Sequence, residues 1–167
     1  MLEILIEFCK KAEGFRASAY LCSSGIPTVG YGRNITASGP GWGGRNFTTA
    51  DEFNEAHPDG ITMTEAEEAL NADVAQGVND AKRLVAEAGG SWEALSALRQ
   101  AILANVAFNI GYPRFKKFGG VWKAVGRGDN PYIAIELLDS LRARQIKRRG
   151  ALEAVAFLLD DEAYLEL

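Results

Sequence analysis

The sequence predicts a predominantly helical α+β protein with two lobes joined by one long helix. Short extended runs around glycine-rich turns in the first 60 residues indicate a small sheet, and apolar residues at helical spacing dominate the remainder. The length of 167 residues suits one domain of this kind. We expect an N-terminal lobe at about 13–61, an inter-lobe helix at about 62–88, and a C-terminal helical lobe at about 89–167 packed with helix 2–12.

The first predicted helix ends in an unusual residue. An apolar stripe at helical spacing runs through Ile6 and Cys9, and Glu13 stands where the stripe would continue. Gly14 follows and ends the helix. A carboxylate placed on an apolar stripe breaks a local pattern, as residues of functional sites often do. Glu13 is therefore a candidate functional residue.

The later elements also follow from local patterns. The runs Ala19–Leu21 and Pro27–Val29, joined by a Ser-Ser-Gly turn, predict a β-hairpin. Thr62 and Glu65 fit a capping box at the start of the long helix, in which each side chain binds the other residue's backbone N–H. After a Gly-Gly pair, Ser91 is expected to restart helical structure, and shorter helices follow.

Composition and charge exclude several classes of function. The net charge of −4 argues against general nucleic-acid binding, although residues 99–149 hold 11 basic and 3 acidic side chains and could attract an anionic polymer such as bacterial cell wall. No apolar run reaches membrane-spanning length, and the first residues do not resemble a secretory signal. One histidine and two cysteines leave little for a metal site.

The spacing of Glu13 and the hairpin indicates one kind of chemistry. The hairpin follows within ten residues, and it brings Cys22 and Thr28 toward the carboxyl. A carboxyl partly withdrawn from water disfavours its charged form, so it can protonate the leaving oxygen of a glycosidic bond. Buried glutamates are also common as structural ion-pair partners, so spacing alone leaves both interpretations open.

Several motifs resemble those of one family. The segments Glu13–Arg16 (EGFR) and Thr28–Gly32 (TVGYG) are similar to the signature of phage-type lysozymes, glycoside hydrolase family 24. That family places a Glu, an Asp or Cys, and a Thr with eight and then five intervening residues, which is the spacing of Glu13, Cys22 and Thr28. The segments 61–67 (ITMTEAE) and 107–111 (AFNIG) also resemble the family, so the likeness covers nearly the whole chain.

The resemblance implies a lysozyme-like fold and a muramidase activity on the β-1,4 bond between N-acetylmuramic acid and N-acetylglucosamine. Glu13 would be the general acid, while Thr28 and Cys22 would position and polarise the attacking water in an inverting reaction. Six further positions align with groove residues of the family or with residues near its catalytic glutamate, and we take them as substrate-binding: Asn34, Phe108, Asn109, Val121, Glu136 and Arg149.

The same resemblance implies a biological role. The substrate would be bacterial peptidoglycan, and the protein would act as an endolysin that lyses bacterial cells, an antimicrobial hydrolase. We expect a monomer that needs no metal or organic cofactor and has no nucleic-acid partner and no stable membrane association. It would be made in the host cytoplasm and reach the wall after release.

Two positions depart from the family pattern. Residue 22 is Cys where the T-even members have Asp, although other members of the family carry Cys there, and a thiol is a poorer hydrogen-bond partner than a carboxylate. Residue 33 is Arg where many relatives have His, and Asp73 matches the partner of that His. We therefore predict an Arg33–Asp73 ion pair.

Three other hypotheses stay open. Cys22 and His57 could be the nucleophile and base of a cysteine peptidase or amidase. The chain could also be a catalytically weak or inactive lysozyme-fold domain that binds glycan or a protein partner. A disulfide between Cys9 and Cys22 could block the site until it is reduced.

Overall fold

The computed structural model describes residues 1–140 and 148–165, and it confirms the predominantly helical α+β, lysozyme-like fold. The described residues form eight α-helices and one three-stranded antiparallel sheet. In chain order the elements are α1 (Leu2–Glu13), β1 (Arg16–Leu21), β2 (Pro27–Gly30), β3 (Arg33–Asn34), α2 (Ala50–Ala56), α3 (Met63–Glu87), α4 (Ala97–Ile110), α5 (Tyr112–Phe115), α6 (Gly119–Arg127), α7 (Asn130–Asp139), α8 (Arg148–Leu159) and a 3-10 turn (Glu162–Leu165).

By their internal contacts the residues group into two compact units. One unit contains residues 6–73, and the other contains residues 1–5 with the described residues from 74 onward. Of the lobe predicted at about 89–167, residues 141–147 and 166–167 lie outside the described residues. The lobe boundaries drawn from the sequence stay a prediction.

The sheet of the first unit has the strand order β1-β2-β3. Thr28 in the central strand pairs with Tyr20 on one side and with Asn34 on the other. The Asn54 side chain supports the outer edge of β1, because its amide accepts from the N–H of Ala19 at 2.8 Å and donates to the carbonyl of Ala19 at 3.1 Å. These contacts satisfy an otherwise exposed strand edge.

The long helix α3 begins with the predicted capping box. The N–H of Glu65 donates to the Thr62 hydroxyl at 3.2 Å, and the N–H of Thr62 donates to the Glu65 carboxylate at 2.7 Å. The helix then runs for 25 residues, close to the predicted span. The helix prediction is thus confirmed, including its starting signal.

The second unit is built around α4. This helix is buried along most of its length, because its residues from Leu98 to Ala107 are apolar on nearly every side. Its predicted start at Ser91 is wrong, because α4 begins at Ala97 after Ser96, whose hydroxyl accepts from the N–H of Arg99. Within residues 1–140 and 148–165, no helix combines the length and apolarity needed to cross a membrane.

Candidate active site

Glu13 is the last residue of α1, and its side chain is partly buried. The N–H of Gly14 donates to the carbonyl of Lys10 at 3.1 Å and closes the last turn. Gly14 has a φ of 67°, a conformation that glycine adopts without steric penalty, and β1 begins two residues later. The chain therefore places the carboxyl of Glu13 where a helix turns directly into the sheet.

The carboxyl of Glu13 lies against the backbone of Gly32. A Cβ atom at Gly32 would stand 3.2 Å from Oε2 of Glu13 and 3.6 Å from its Cδ. Residues 13 and 32 are brought together because the hairpin returns the chain toward the end of α1. One side of the carboxyl is thus covered by backbone.

Cys22 lies in the turn of the hairpin. Its N–H donates to the carbonyl of Ile26 at 3.0 Å, and its carbonyl accepts from the N–H of Gly25 at 2.8 Å. Gly25 has a φ of 74°, which allows so tight a turn. The turn directs backbone N–H groups toward the sulfur of Cys22.

Those donors change the ionisation of the Cys22 thiol. Burial by itself raises its pKa, but hydrogen bonds from the backbone at Ile26 and Ser24, and then from the Thr28 side chain, outweigh burial, so that the pKa is lowered from its ordinary value. Hydrogen bonds to a charged form favour that form. Cys22 therefore ionises more readily than an ordinary cysteine.

Thr28 is buried in the central strand beside Cys22. Its hydroxyl donates to the carbonyl of Ile26 at 2.8 Å and is also within reach of the Cys22 sulfur. A hydroxyl has one proton to donate and two lone pairs to accept. The Thr28 proton can serve the carbonyl or the thiolate, but only one at a time, while its lone pairs can accept from water.

Tyr20 was not singled out by the sequence reasoning, yet its phenol is close enough to feel the charges of both Glu13 and Cys22. Burial raises the pKa of Tyr20, the guanidinium of Arg16 opposes the rise, and the negative charges of Glu13 and Cys22 add to it. The Arg16 guanidinium carbon lies 4.3 Å from the centre of the Tyr20 ring. Tyr20 pairs with Thr28 across the two strands, and this pairing could have been anticipated from the register of the hairpin.

The predicted Arg33–Asp73 ion pair is confirmed. Nη1 of Arg33 lies 2.5 Å from Oδ1 of Asp73, and the guanidinium also donates to the carbonyls of Gly41 and Ala69. Burial raises the pKa of the Asp73 carboxyl, and the Arg33 guanidinium opposes that rise. Arg33 thereby ties the loop at Gly41 to α3.

Asn34, a predicted substrate-binding residue, builds the loop that follows β3. Its side-chain oxygen accepts from the N–H of Thr36 at 2.9 Å and from the Thr36 hydroxyl at 2.8 Å. Its amide nitrogen donates to the hydroxyl of Ser38 at 3.3 Å. These contacts fix the local turn, and a role in binding stays a prediction.

Three other predicted binding residues lie in the second unit. Phe108 is partly exposed and its Cβ packs against α3, since a Cβ at Gly77 would stand 2.9 Å from it. Arg149 donates to the side-chain oxygen of Asn109 at 3.3 Å and to Glu153 at 3.1 Å. The structure joins the Asn109 and Arg149 side chains by a hydrogen bond; the placement near Glu13 that the resemblance implied and a role in binding stay predictions.

Val121 and Glu136, the last two predicted binding residues, line one small pocket of about 240 Å³. Lys117 and Ser140 add polar groups to its wall. The Glu136 carboxylate lies against the backbone of Gly120, so a side chain added there would force that carboxylate to move. The pocket is lined by groups of both charges and a hydroxyl, a lining that suits a polar ligand.

The surroundings of His57 and the state of the two cysteines bear on the peptidase and disulfide hypotheses. The His57 ring stacks on Phe53 at 4.1 Å, and its Nδ1 lies 3.0 Å from the Phe53 carbonyl, so His57 is part of an aromatic cluster. No described contact of Cys22 comes from His57. Cys9 and Cys22 are both reduced in the structure, and no disulfide joins them. Among the described residues, no group of three or more His, Cys, Asp or Glu side chains could hold a metal ion.

The comparison with known proteins defines the class. The family model described as Phage lysozyme matches residues 10–148. The chain belongs to the phage lysozyme family. It is also similar to the pre-baseplate central spike protein Gp5 of Enterobacteria phage T4, with 28% identity over 155 residues, which are 88% of this chain and 26% of that protein. The chain thus spans about a quarter of that relative's length.

Family membership gives the general chemistry. The phage lysozyme family is one of glycoside hydrolases that degrade peptidoglycan, and the family's substrate class is therefore peptidoglycan.

Proposed function

We propose that this chain is a muramidase that hydrolyses the β-1,4 bond between N-acetylmuramic acid and N-acetylglucosamine. The observation that supports the proposal is the clustering, within residues 13–28, of a partly buried carboxyl, a phenol and a hydroxyl–thiol pair. An acid on one side of a sugar and water-holding groups on the other are what an inverting glycosidase requires.

In the proposed mechanism Glu13 protonates the leaving oxygen of the glycosidic bond. The lone pairs of the Thr28 hydroxyl and the sulfur of Cys22 accept hydrogen bonds from a water molecule and orient it toward the sugar carbon. As the bond to the leaving oxygen breaks, that water attacks from the opposite face and passes one proton to Cys22, which acts as the thiolate, while Thr28 orients the water. The configuration at the sugar carbon is inverted.

The proposal includes a substrate surface beyond the reacting groups. Val121 and Glu136 would contact the substrate through their shared pocket, and Phe108 would contact a sugar ring. Asn34, Asn109 and Arg149 would complete the binding set. The enzyme would act as a single domain and a monomer, without metal or organic cofactor. Its role would be that of an endolysin that lyses bacteria without stable membrane association.

The test compares two glutamates of the same helix. We expect Glu13→Gln to reduce the clearing of a suspension of purified cell walls by at least about 100-fold, because a positioned acid contributes about that much or more. Glu7→Gln, on the exposed side of α1, is the matched control and should retain activity. Mass analysis of the digest should show hydrolysed muramic ends. Anhydro ends or cut peptides would contradict the proposed reaction.

A second candidate is favoured by the likeness to a spike protein, which is named as a part of a phage structure. Under this candidate the chain keeps the lysozyme fold but binds glycan or a protein partner with little catalysis. It predicts that the wild type binds walls in a sedimentation assay without clearing them, and that Glu13→Gln binds equally well. Clearing by the wild type that depends on Glu13 would eliminate it.

A further inference from the structure

Gly32 lies so close to Glu13 that a side chain at position 32 would disturb the Glu13 carboxyl. A Cβ there would stand 3.2 Å from Oε2 and 3.6 Å from both Cδ and Cγ of Glu13. The first distance is tighter than ordinary van der Waals contact, so one of the two groups would have to move. Gly32 also has a φ of 84°, in the region that favours glycine.

The backbone on both sides of Gly32 is held in place. Tyr31 before it is buried, and Gly30 pairs across the sheet with Arg16 in β1. Arg33 after it is anchored by the ion pair with Asp73 and by two carbonyls. When a Cβ is added at position 32, the backbone is therefore less free to yield than the carboxyl group at the end of the Glu13 side chain.

We propose that Gly32 is a positioning residue that sets the orientation of the Glu13 carboxyl, and that its lack of a side chain is required for this. The Cα of Gly32, which carries no side chain, covers one face of the Glu13 carboxyl and leaves enough room for Oε2. A methyl group would rotate or push the carboxyl away from this position. The carboxyl would have to move by a few tenths of an ångström, and since a displacement of about 1 Å in a reacting group can reduce a rate about 100-fold, a smaller but measurable loss is expected. The catalytic part of this proposal rests on the muramidase function proposed above.

The test uses two glycines with similar backbone conformations. Gly32→Ala adds a methyl group at a φ of 84°, and Gly89→Ala adds one at a φ of 78° where no atom lies within 4 Å. Both variants carry similar backbone strain, but only the first touches Glu13. We expect Gly32→Ala to lower kcat on purified walls by about 3- to 10-fold with little change in KM, while Gly89→Ala keeps the kcat of the wild type at a temperature where all proteins are folded.

A second measurement does not depend on activity. In protein labelled with ¹³C at glutamate side chains, Gly32→Ala should shift the carboxyl resonance of Glu13, which Glu13→Gln identifies by its loss, and Gly89→Ala should leave it in place. If the wild type clears no walls, the muramidase proposal fails and the resonance still decides the role of Gly32. If Gly32→Ala does not fold, Gly32→Asn replaces it, because asparagine accepts positive φ more readily. Unchanged kcat and an unchanged Glu13 resonance would overturn the proposal.

Discussion

The two compact units hold their polar side chains in different ways. In residues 6–73, backbone groups provide most of the contacts. The Arg33 guanidinium donates to two backbone carbonyls as well as to Asp73, and the Cys22 sulfur accepts from backbone N–H groups of its own turn. Glu13 likewise rests against the backbone of Gly32.

In the residues from 74 onward, one buried cluster is held together by polar side chains that bind one another. The amide of Asn105 donates to Glu153 at 2.9 Å, and Arg149 donates to the same Glu153 oxygen at 3.1 Å. Asn105 and Glu153 are both almost fully buried. Asn109 joins the same network through Asn105 and Arg149.

This difference follows from what helices and turns offer. A helix satisfies its own backbone N–H and C=O groups, so a polar side chain between helices must find other side chains. Tight turns and short strands leave backbone groups available for side chains. We therefore expect a substitution among residues 6–73 to lower the free energy of unfolding less than a substitution in the buried helical network.

The largest expected effect comes from breaking the helical network. Glu153→Leu removes the shared acceptor of Asn105 and Arg149 and leaves the positive charge of Arg149 less compensated, so the free energy of unfolding should fall by about 3 kcal/mol. Glu153→Gln keeps the shape and one acceptor and should lose about half as much. Urea unfolding followed by circular dichroism measures both. Equal losses for the two variants would show that the negative charge of Glu153 does not contribute to the free energy of unfolding.

The next effect tests the ion pair in residues 6–73. Arg33→Ala leaves the half-buried Asp73 carboxyl without its guanidinium and the Gly41 loop without its tie to α3. The free energy of unfolding should fall by about 2 kcal/mol. Arg45→Ala, which removes an exposed ion pair with Glu52, is the control and should change stability much less. A loss no greater than that of the control would mean that Arg33 is not an anchor.

The same contrast explains what could be predicted from the sequence. Glu13, Cys22 and Thr28 lie within 16 consecutive residues, and the helix end, the hairpin turn and the return strand that carry them follow from local sequence signals. The capping box at Thr62 and Glu65 is equally local. Arg33 and Asp73 are 40 residues apart, and their pairing was predicted only from the resemblance to a family.

Other features depend on tertiary packing and were missed. The contact of Gly32 with Glu13 requires the position of β2 relative to the end of α1, which spacing does not give. The network around Glu153 joins residues 48 positions apart on two helices. The helix expected from Ser91 begins only at Ala97, because residues 91–96 form turns and Ser96 provides the cap. Local patterns do not show which of two serines caps a helix.

A third, smaller effect tests the hydrogen bonds to the Cys22 thiol in the first unit. Because its pKa is lowered, alkylation by iodoacetamide should reach half its maximal rate at a lower pH than for an ordinary cysteine. Cys9 is buried and should not react in the folded protein. Thr28→Val should move the midpoint to higher pH by removing one donor, and Ser23→Ala, in the same turn, should not. Identical midpoints for both variants would exclude the hydroxyl as a donor.

The smallest effect concerns an exposed side-chain cluster in the second unit. Hydrogen bonds from Tyr112, then from Lys116 and Arg83, hold the pKa of Glu87 at about 2, against 4.5 for an ordinary glutamate. A depressed pKa stabilises the folded state fully above the unfolded value, and the stabilisation is lost as the pH falls from about 4.5 to about 2. The group is exposed, so water and salt weaken this contribution.

Tyr112→Phe tests that cluster, because it removes the donor with the largest influence on Glu87. The pKa of Glu87, followed by its carboxyl resonance, should rise toward 4.5, and stability should depend less on pH between about 2 and 4.5. Tyr164→Phe, at another exposed tyrosine, is the control and should leave both unchanged. Because the network around Glu153 is buried and this cluster is not, 0.5 M salt should abolish most of the difference between Tyr112→Phe and wild type while leaving the loss in Glu153→Leu nearly intact. If salt reduced the stability losses of Tyr112→Phe and Glu153→Leu equally, burial would not explain the difference between the two clusters.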